Sequence, residues 1–525
     1  MPKWLEDAIF YEIYPQSFMD ANADGIGDFE GIIQKLDYIK DLGCNALWLN
    51  PCFDSPFKDA GYDVRNYTQA APRYGTNGDL KRLFTEAHAK GIRVLLDLVP
   101  GHTAEDHPWF IESAKARPER FRNRYIWTDH CFTRPEGLGF TGGETERAAV
   151  YITNFFKCQP ALNYGFFKPA EPWQLPLDHP DCVGTREALK EVMRFWLDAG
   201  CDGFRADMAA SLVKLDSPDK RGTSAVWRDI RAMLDTEYPG AAIISEWSNP
   251  SQAVKAGFHM DFLLAFFKNS GYQSLFRDYQ LDEYNRPAEE NNSFFKKDGK
   301  GDIRRFLEDY LFHYHNTKDA GYISLTTGNH DLPRISHTLS PGELALAYGF
   351  IFTMPGVPFL YYGDEIGMRY QEALPTKEGG YYRTGARTPM QWTGGVNLGF
   401  SAAPPEALYL PVDQAPDAPT VEAQERDSSS LLNTLKAILR LRRSEPELQA
   451  KPNLELRYAE KGKLPFVYQR GSLVIAVNPG VQAASAPLRG EGNPVYAIGQ
   501  GSLTRGQCRM GPQSFAVWRV GGTAE

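Results

Sequence analysis

The stretch "REALKEVMRFWLDAGCDGFRADMA" (residues 186–209) contains a helical segment, a stop and a short strand in direct succession. Its apolar residues recur three and four positions apart, which predicts a helix with one apolar face; they are Leu189, Val192, Met193, Trp196 and Leu197. Gly200 follows, and glycine commonly ends a helix. The segment "GFRADMA" (203–209) is short and apolar enough for a buried strand. The stretch therefore predicts one helix–strand unit.

The same unit recurs along most of the chain. Candidate strands rich in β-branched and aromatic residues alternate with helical segments; they span 8–14, 46–51, 92–99, 203–209, 242–247, 259–264, 322–331 and 359–365. This alternation predicts right-handed βαβ units and a parallel sheet. Eight such strands predict an α/β fold, a closed (β/α)₈ TIM barrel, and disfavour an open doubly wound sheet.

Two regions do not fit the simple repeat. The segment between the third and fourth strands is too long for a crossover and rich in aromatics, Gly and Pro, which predicts an inserted domain at 103–180. The barrel then comprises 1–102 and 181–448. From residue 449 onward, short alternating segments with Gly-rich turns predict a C-terminal antiparallel β domain at 449–525.

Composition and charge exclude several classes of function. The 525 residues include 57 Lys+Arg and 66 Asp+Glu, and no basic run appears, so nucleic acid and anionic membranes are not expected partners. No signal peptide is expected at the N-terminus, and no run of about 18 apolar residues predicts a membrane span. The seven cysteines are dispersed and lack CxxC spacing, which favours a reducing, cytoplasmic compartment. No oligomeric state follows from the sequence.

Three carboxylates stand where predicted strands end, and the active site of such a barrel lies at that end. Asp207, Glu246 and Asp331 end the fourth, fifth and seventh predicted strands. Glycoside hydrolysis needs two carboxyl groups across the scissile bond, and a third can stabilise positive charge at C1. Arg205 lies two residues before Asp207, on the same strand face, and is expected to keep that carboxylate ionised.

Four short motifs resemble the signature regions of the α-amylase superfamily of glycoside hydrolases: "DLVPGH" (97–102), "GFRAD" (203–207), "SEW" (245–247) and "GNHD" (328–331). "QPALNY" (159–164) and "GVPFLYYGDEIGM" (356–368) resemble two auxiliary regions. The resemblance implies a barrel with an inserted B domain and a retaining double displacement on α-glucosidic bonds. It also implies individual roles: Asp207 as nucleophile, Glu246 as general acid/base, Asp331 as transition-state stabiliser, and His102, Arg205 and His330 around the sugar in subsite −1.

Two further motifs resemble the branch of oligosaccharide α-glucosidases, which includes oligo-1,6-glucosidase and trehalose synthase. They are "GYDVRNY" (61–67) and "YYRTGARTPMQW" (381–392). The resemblance implies that Asp63 and Arg383 grip the 4-hydroxyl of the terminal glucose, while Tyr62 stacks on its face. A charged pair at that end would exclude longer chains, because another sugar would leave both charges badly paired. Met208, after the nucleophile, leaves the linkage preference open.

The sequence therefore predicts a retaining, exo-acting α-glucosidase that acts on short α-gluco-oligosaccharides through a glucosyl-enzyme intermediate. Two alternatives stay open: a transglycosylase or isomerase such as trehalose synthase, and an endo-acting α-amylase. Non-catalytic amylase-like proteins carry a membrane helix and degraded catalytic positions, and the sequence indicates neither. No organic cofactor is expected.

The stretch "DANADGIGDF" (20–29) spaces oxygen-bearing residues as a calcium loop does. An EF-hand is excluded, because Gly31 stands at the twelfth position, where a bidentate Glu is needed. Related α-glucosidases hold calcium in a similar loop, so the resemblance implies one structural Ca²⁺ whose ligands are Asp20, Asn22, Asp24, Asp28 and the Ile26 carbonyl. Gly101 replaces an Asn that ligates calcium in many amylases, and no second calcium site is predicted.

Overall fold

A computed structural model describes residues 1–264, 271–277, 291–488 and 490–521. Eight parallel strands form one sheet in sequence order; they are β1 Phe10–Ile13, β2 Ala46–Leu49, β3 Arg93–Leu98, β4 Gly203–Ala206, β5 Ala242–Ser245, β6 Met260–Phe262, β7 Tyr322–Ser324 and β8 Phe359–Tyr361. β8 pairs with β1, and the Phe359 amide donates a 2.9 Å hydrogen bond to the Leu325 carbonyl, just beyond β7. The sheet is therefore closed, and the predicted TIM barrel is confirmed.

Eleven α-helices lie in the described part of the chain. They are α1 Phe29–Gln34, α2 Leu36–Leu42, α3 Asn77–Ala89, α4 Pro108–Ser113, α5 Pro180–Ala199, α6 Arg221–Glu237, α7 Pro250–Ala256, α8 Ile303–Thr317, α9 Pro341–Ile351, α10 Val421–Arg426 and α11 Leu431–Ser444. α5 begins with a His179 cap and Pro180, buries its predicted apolar face, and ends at Gly200, whose φ of 112° suits glycine.

The strands are shorter than the sequence predicts, and one difference affects the site. β7 ends at Ser324, whereas the predicted strand extends to Asp331. Asp331 therefore lies in the loop after β7, not at the strand end, and the prediction is wrong on this point. Residues 325–327 still bond to Phe359 of β8, and the Thr327 hydroxyl donates to Asp364, so the chain turns away from the sheet only after Thr327.

Between β3 and α5 the chain forms α4 and a short antiparallel hairpin, Phe140–Gly142 with Val150–Ile152. This inserted region has a small apolar cluster of its own, built from Ile126, Ile152, Ala161 and Phe166. A second hairpin, Phe53–Asp54 with Asn66–Ala70, follows β2. The domain boundaries at 102, 180 and 448 stay predictions.

The C-terminal part forms two antiparallel sheets, as predicted. Their strands are β9 Leu454–Tyr458, β10 Phe466–Arg470, β11 Leu473–Asn478, β12 Ala484–Leu488, β13 Gly492–Ile498, β14 Gly501–Thr504, β15 Gly506–Met510 and β16 Ser514–Val520. The first sheet has the order β9-β10-β11-β16-β13, and the second has the order β12-β15-β14. Arg470 Nη1 donates a 2.7 Å hydrogen bond to the Thr353 carbonyl, which joins the first sheet to the barrel. Residues 489 and 522–525 of the predicted domain lie outside the described residues.

No helix among residues 1–264, 271–277, 291–488 and 490–521 combines the length and the apolar character that a membrane span needs.

Candidate active site

Two predicted catalytic carboxylates lie side by side where adjacent barrel strands end. Asp207 directly follows β4 and Glu246 directly follows β5. The register pairs Ala206 with Ser245, so the next residue of each strand is at the same level of the sheet. The structure thus brings these two carboxyl groups together at the C-terminal end of the barrel, as the sequence predicts.

Arg205 connects the carboxylates around it. Its Nη1 lies 2.8 Å from Asp97 Oδ1 and 3.2 Å from Asp207 Oδ1, and its Nη2 lies 3.0 Å from Glu246 Oε2. The guanidinium is 2% exposed, so little water screens these interactions. One buried cation therefore holds three acidic side chains in a fixed arrangement.

Opposing effects act on the pKa of Asp207. Burial and the neighbouring Glu246 raise the pKa of Asp207 well above its usual range, and Arg205 opposes them without outweighing them. Arg205 thus lowers the pKa of Asp207, as predicted, and the ionised state of Asp207 stays a prediction. When two carboxyl groups are neighbours, the charge of one opposes ionisation of the other.

Glu246 is held by backbone as well as by Arg205. The Met208 amide donates a 2.8 Å hydrogen bond to Glu246 Oε2. Met208 has φ 42° and ψ 41°, a left-handed conformation that costs a residue with a side chain about 1–2 kcal/mol. The strained turn after Asp207 thereby directs an amide at the Glu246 carboxyl group.

His330 lies at the centre of a buried hydrogen-bond chain. Its Nδ1 is 2.7 Å from Glu12 Oε1, its Nε2 is 2.6 Å from the Tyr62 hydroxyl, and that hydroxyl donates a 3.0 Å bond to Asp97. Burial raises the pKa of Glu12 well above its usual range and lowers that of His330 well below its own. With both groups neutral, Glu12 donates to Nδ1 and Nε2–H donates to Tyr62. The sequence analysis missed Glu12, because it lies within β1 and resembles an ordinary strand residue.

Tyr62 and His102 occupy neighbouring positions in this wall of the site. The Tyr62 ring stacks on the His330 ring, with centroids 5.5 Å apart, and its contact with a glucose face stays a prediction. His102 Nε2 lies 3.0 Å from the Tyr62 carbonyl, and Asn154 donates a 3.0 Å bond to its Nδ1. Burial lowers the pKa of His102 to about 3, so this ring is neutral. A side chain at Gly101 would push the Asn154 amide away from the bond that it donates to His102.

The acidic partner of Arg383 is not the predicted one. Arg383 Nη2 pairs with Asp59 Oδ1 at 3.2 Å, and its Nη1 pairs with Asp331 at 3.0 Å. Both oxygens of Asp63 are occupied by its own turn, through the Ser55 hydroxyl and the amides of residues 58 and 59. The predicted Asp63–Arg383 pair is therefore wrong. The carboxylate that pairs with Arg383 is Asp59, four residues earlier.

A second arginine, missed in the sequence, also holds Asp331. Arg387 Nη2 lies 2.9 Å from Asp331 Oδ1, and its Nε donates a 2.7 Å hydrogen bond to the His330 carbonyl. Burial alone would raise the pKa of Asp331, but the charges of Arg383 and Arg387 lower it below its usual value. Asp331 is thus ionised and suited to stabilise positive charge. The second arginine in "YRTGAR" (382–387) is the feature of the sequence that could have indicated this contact.

Comparison with known proteins agrees with this geometry. Residues 12–451 match the model of the α-amylase family, described as the α-amylase catalytic domain. The chain belongs to the α-amylase family. It is accordingly a carbohydrate-acting glycosidase, with its barrel, carboxylates and histidines in the arrangement described above.

Relatives of this α-amylase-family chain have different named activities. Trehalose synthase/amylase TreS of Mycobacterium tuberculosis is 31% identical over 517 residues, which cover 91% of this chain and 82% of that protein. Oligo-1,6-glucosidase of Heyndrickxia coagulans is 30% identical over 501 residues, covering 85% and 86%. The trehalulose synthase MutB from Pseudomonas mesoacidophila MX-45 has a crystal structure with a TM-score of 0.81 and 22% identity, covering 99% of this chain and 100% of that one, which shows the shared fold.

The predicted calcium loop of this family member is held together by its own hydrogen bonds. Asp20 accepts from the amides of residues 22, 23 and 25, and Asp28 accepts from those of residues 21, 22 and 31. The bond from Gly31 makes Asp28 the N-cap of α1. No group of three or more His, Cys, Asp or Glu side chains in the described parts of the chain is arranged to hold a metal ion. The oxygens suit calcium chemically, but as placed they satisfy amides, and the ion stays a prediction.

Proposed function

We propose that this chain is a retaining, exo-acting α-glucosidase that removes single glucose units from short α-gluco-oligosaccharides. The observation that carries the proposal is the position of Arg383, whose guanidinium binds Asp331 and Asp59 at the same time. A charged pair next to the stabilising carboxylate closes the pocket at the non-reducing end of a sugar bound there. A longer chain would have to displace this pair from a desolvated position.

The reaction begins with attack of Asp207 on C1 of the terminal glucose. The C1–O bond to the leaving sugar breaks, and the Glu246 proton passes to the departing oxygen, so a β-linked glucosyl-enzyme forms. Asp331, kept ionised by its arginines, stabilises the positive charge that develops at C1. Water then attacks C1 from the other face, returns a proton to Glu246 and releases α-glucose.

Contacts of Glu246 indicate which of its oxygens carries the proton. Oε2 accepts from the Met208 amide and contacts Arg205 Nη2, so negative charge is favoured on that oxygen. The proton is then carried by Oε1. Burial and the neighbouring Glu246 raise the pKa of Asp207, and Asp207 must be deprotonated when it attacks.

A second candidate function is isomerisation of a disaccharide, as in trehalose synthase. It is favoured by the 31% identity to a protein of that name over most of this chain. The two functions share the first step and the glucosyl-enzyme, and they differ in whether water or a retained glucose hydroxyl attacks it.

Product analysis separates these functions. The enzyme is incubated with maltose, isomaltose, sucrose, trehalose, maltotriose and starch, and proton NMR follows the first products. Hydrolysis predicts α-glucose as the initial anomer and single-unit release from maltotriose. A non-reducing disaccharide from maltose would instead support isomerisation. Initial β-glucose would contradict retention, and rapid loss of starch viscosity would contradict exo action.

A further inference from the structure

The structure contains a buried carboxylate directly behind the acid/base loop that the reaction scheme does not use. Asp261 lies within β6 beside β5, with its Cα paired to Ser245, the residue before Glu246. Asp261 is fully buried, and no Lys, Arg or His in the described residues forms a salt bridge with it. Burying a carboxylate without a cationic partner costs free energy, and hydrogen bonds must offset that cost.

Those hydrogen bonds all come from the segment around Glu246. The Ser245 hydroxyl donates to Asp261 Oδ1 at 2.7 Å, and the Trp247 amide donates to the same oxygen at 3.0 Å. The Asn249 amide donates to Oδ2 at 2.8 Å. Backbone amides of one short loop that converge on one carboxylate form a concave anion site. Asp261 therefore fixes the backbone on both sides of Glu246.

The far end of this segment is held as well. The Asn249 side chain accepts from the Gln252 amide and caps α7, so the loop is fixed between Asp261 and a helix start. Ser248, between these contacts, has a φ of 57°, a conformation that persists only when its surroundings impose it. Burial raises the pKa of Asp261 to about 7, and its hydrogen bonds from residues 245, 247 and 249 oppose that rise.

We propose that Asp261 is a positioning residue for the acid/base: it fixes the loop of residues 245–249 so that the Glu246 carboxyl meets the leaving oxygen. The inference rests on the proposed role of Glu246. A misplacement of about 1 Å can cost about 10²-fold in rate. A loose loop would therefore slow proton transfer from Glu246, while Asp207 stays in place. The effect should therefore depend on how much help the leaving group needs.

The test compares substrates whose leaving groups differ in that need. kcat/KM is measured on α-glucosyl fluoride, which departs with little protonation, and on maltose, or on whichever α-glucoside the wild type cleaves best. For Asp261→Asn, we expect kcat/KM to fall about 10-fold to 100-fold on the glucoside and less than about threefold on the fluoride. Glu246→Gln is the reference and should show the same pattern, with a loss of about 10²–10⁴ on the glucoside.

Asp202→Asn is the matched control. Asp202 is also buried and also accepts a backbone amide, that of Val94 at 2.8 Å, but it precedes β4 and lies at the opposite end of the barrel from the site. Its loss should change kcat/KM on both substrates by the same factor. If Asp261→Asn does not fold, Ser245→Ala removes one donor to the carboxylate and is measured in the same way.

The outcomes are distinguishable. The positioning role is wrong if Asp261→Asn, or Ser245→Ala in its place, lowers kcat/KM on both substrates by the same factor. It is also wrong if the variant changes kcat/KM on neither substrate. If Glu246→Gln itself shows no dependence on the leaving group, the role of Glu246 is wrong, and the proposed mechanism fails with it.

Discussion

Asp59 and Arg383 form a 3.2 Å ion pair although 324 residues separate them in the chain. Asp59 belongs to the hairpin loop after β2, and Arg383 to the long segment after β8. The same guanidinium binds Asp331, the proposed transition-state stabiliser. In the proposed function, this one side chain therefore links substrate length to catalysis.

Breaking the pair should weaken recognition of the terminal glucose. We expect Asp59→Asn to lower kcat/KM on a disaccharide about 30-fold or more, because losing one partner of a buried charge pair costs about 2–5 kcal/mol. Activity on longer chains should fall less, so the ratio of maltotetraose to maltose turnover rises. Steady-state kinetics on a maltose series measures this ratio.

Asp63→Asn is the matched control for that experiment. Asp63 holds only its own turn, so its loss should lower the melting temperature and leave the chain-length ratio unchanged. A ratio that changes with Asp63→Asn but not with Asp59→Asn would restore the partner that the sequence suggested.

The sequence was sufficient to predict the barrel and the two carboxylates that directly follow β4 and β5. Both predictions depend only on residues that are close together in the sequence. Short apolar segments alternate with segments whose apolar residues have helical spacing. Asp207 and Glu246 each come one residue after their strand. The choice between Asp59 and Asp63 could not be made in this way. Both stand in one turn, and only the folded backbone shows that the amides of the turn occupy Asp63.

Long-range pairing was the other limit. Glu12 lies 318 residues from His330, and nothing in "FYEI" (10–13) distinguishes it from a strand residue that faces solvent. Asp261 was not predicted either, because its partners are the last residue of β5 and the loop after it, and only the folded chain brings them to β6.

The neutral pairing of Glu12 with His330 gives a testable substitution series. Glutamine at position 12 keeps an N–H that can donate to His330 Nδ1, so Glu12→Gln should retain kcat/KM within about threefold. Glu12→Leu leaves a buried ring nitrogen without this donor and should lower kcat/KM about 5-fold to 150-fold, for a cost of about 1–3 kcal/mol. If both variants lose activity equally, the pair is ionised and the neutral assignment is wrong.

The pH dependence of the free enzyme should reflect the raised pKa of Asp207. Below that pKa the nucleophile is protonated and cannot attack, so kcat/KM falls as the pH falls. Because burial and Glu246 raise the pKa, the acidic limb should lie above the ordinary aspartate value of about 3.9. α-Glucosyl fluoride is the substrate of choice, since its departure needs little acid catalysis.

Arg205 opposes that rise, which predicts the direction of a mutant shift. Arg205→Lys loses the bridging contacts to Asp207 and Glu246, so the acidic limb should move to higher pH. Arg93→Lys is the control, because Arg93 pairs with Asp202 at the other end of the barrel and should leave the limb unmoved. A limb at or below pH 3.9, or a downward shift with Arg205→Lys, would contradict this account.

Calcium binding by the loop of residues 20–28 is the remaining prediction, and the structure makes its test specific. A bound ion stabilises the folded chain by about 2.7 kcal/mol at a concentration 100 times its Kd, so calcium added to chelator-treated protein should raise the melting temperature. Asp24→Asn is the informative variant: Asp24 is exposed and its side chain accepts only the Ile26 amide, at 2.9 Å, which an amide oxygen can also accept. It should keep the metal-free stability and lose the calcium response. Equal melting temperatures of the wild type with calcium, magnesium and chelator would show that the hydrogen bonds of Asp20 and Asp28 suffice to hold this loop.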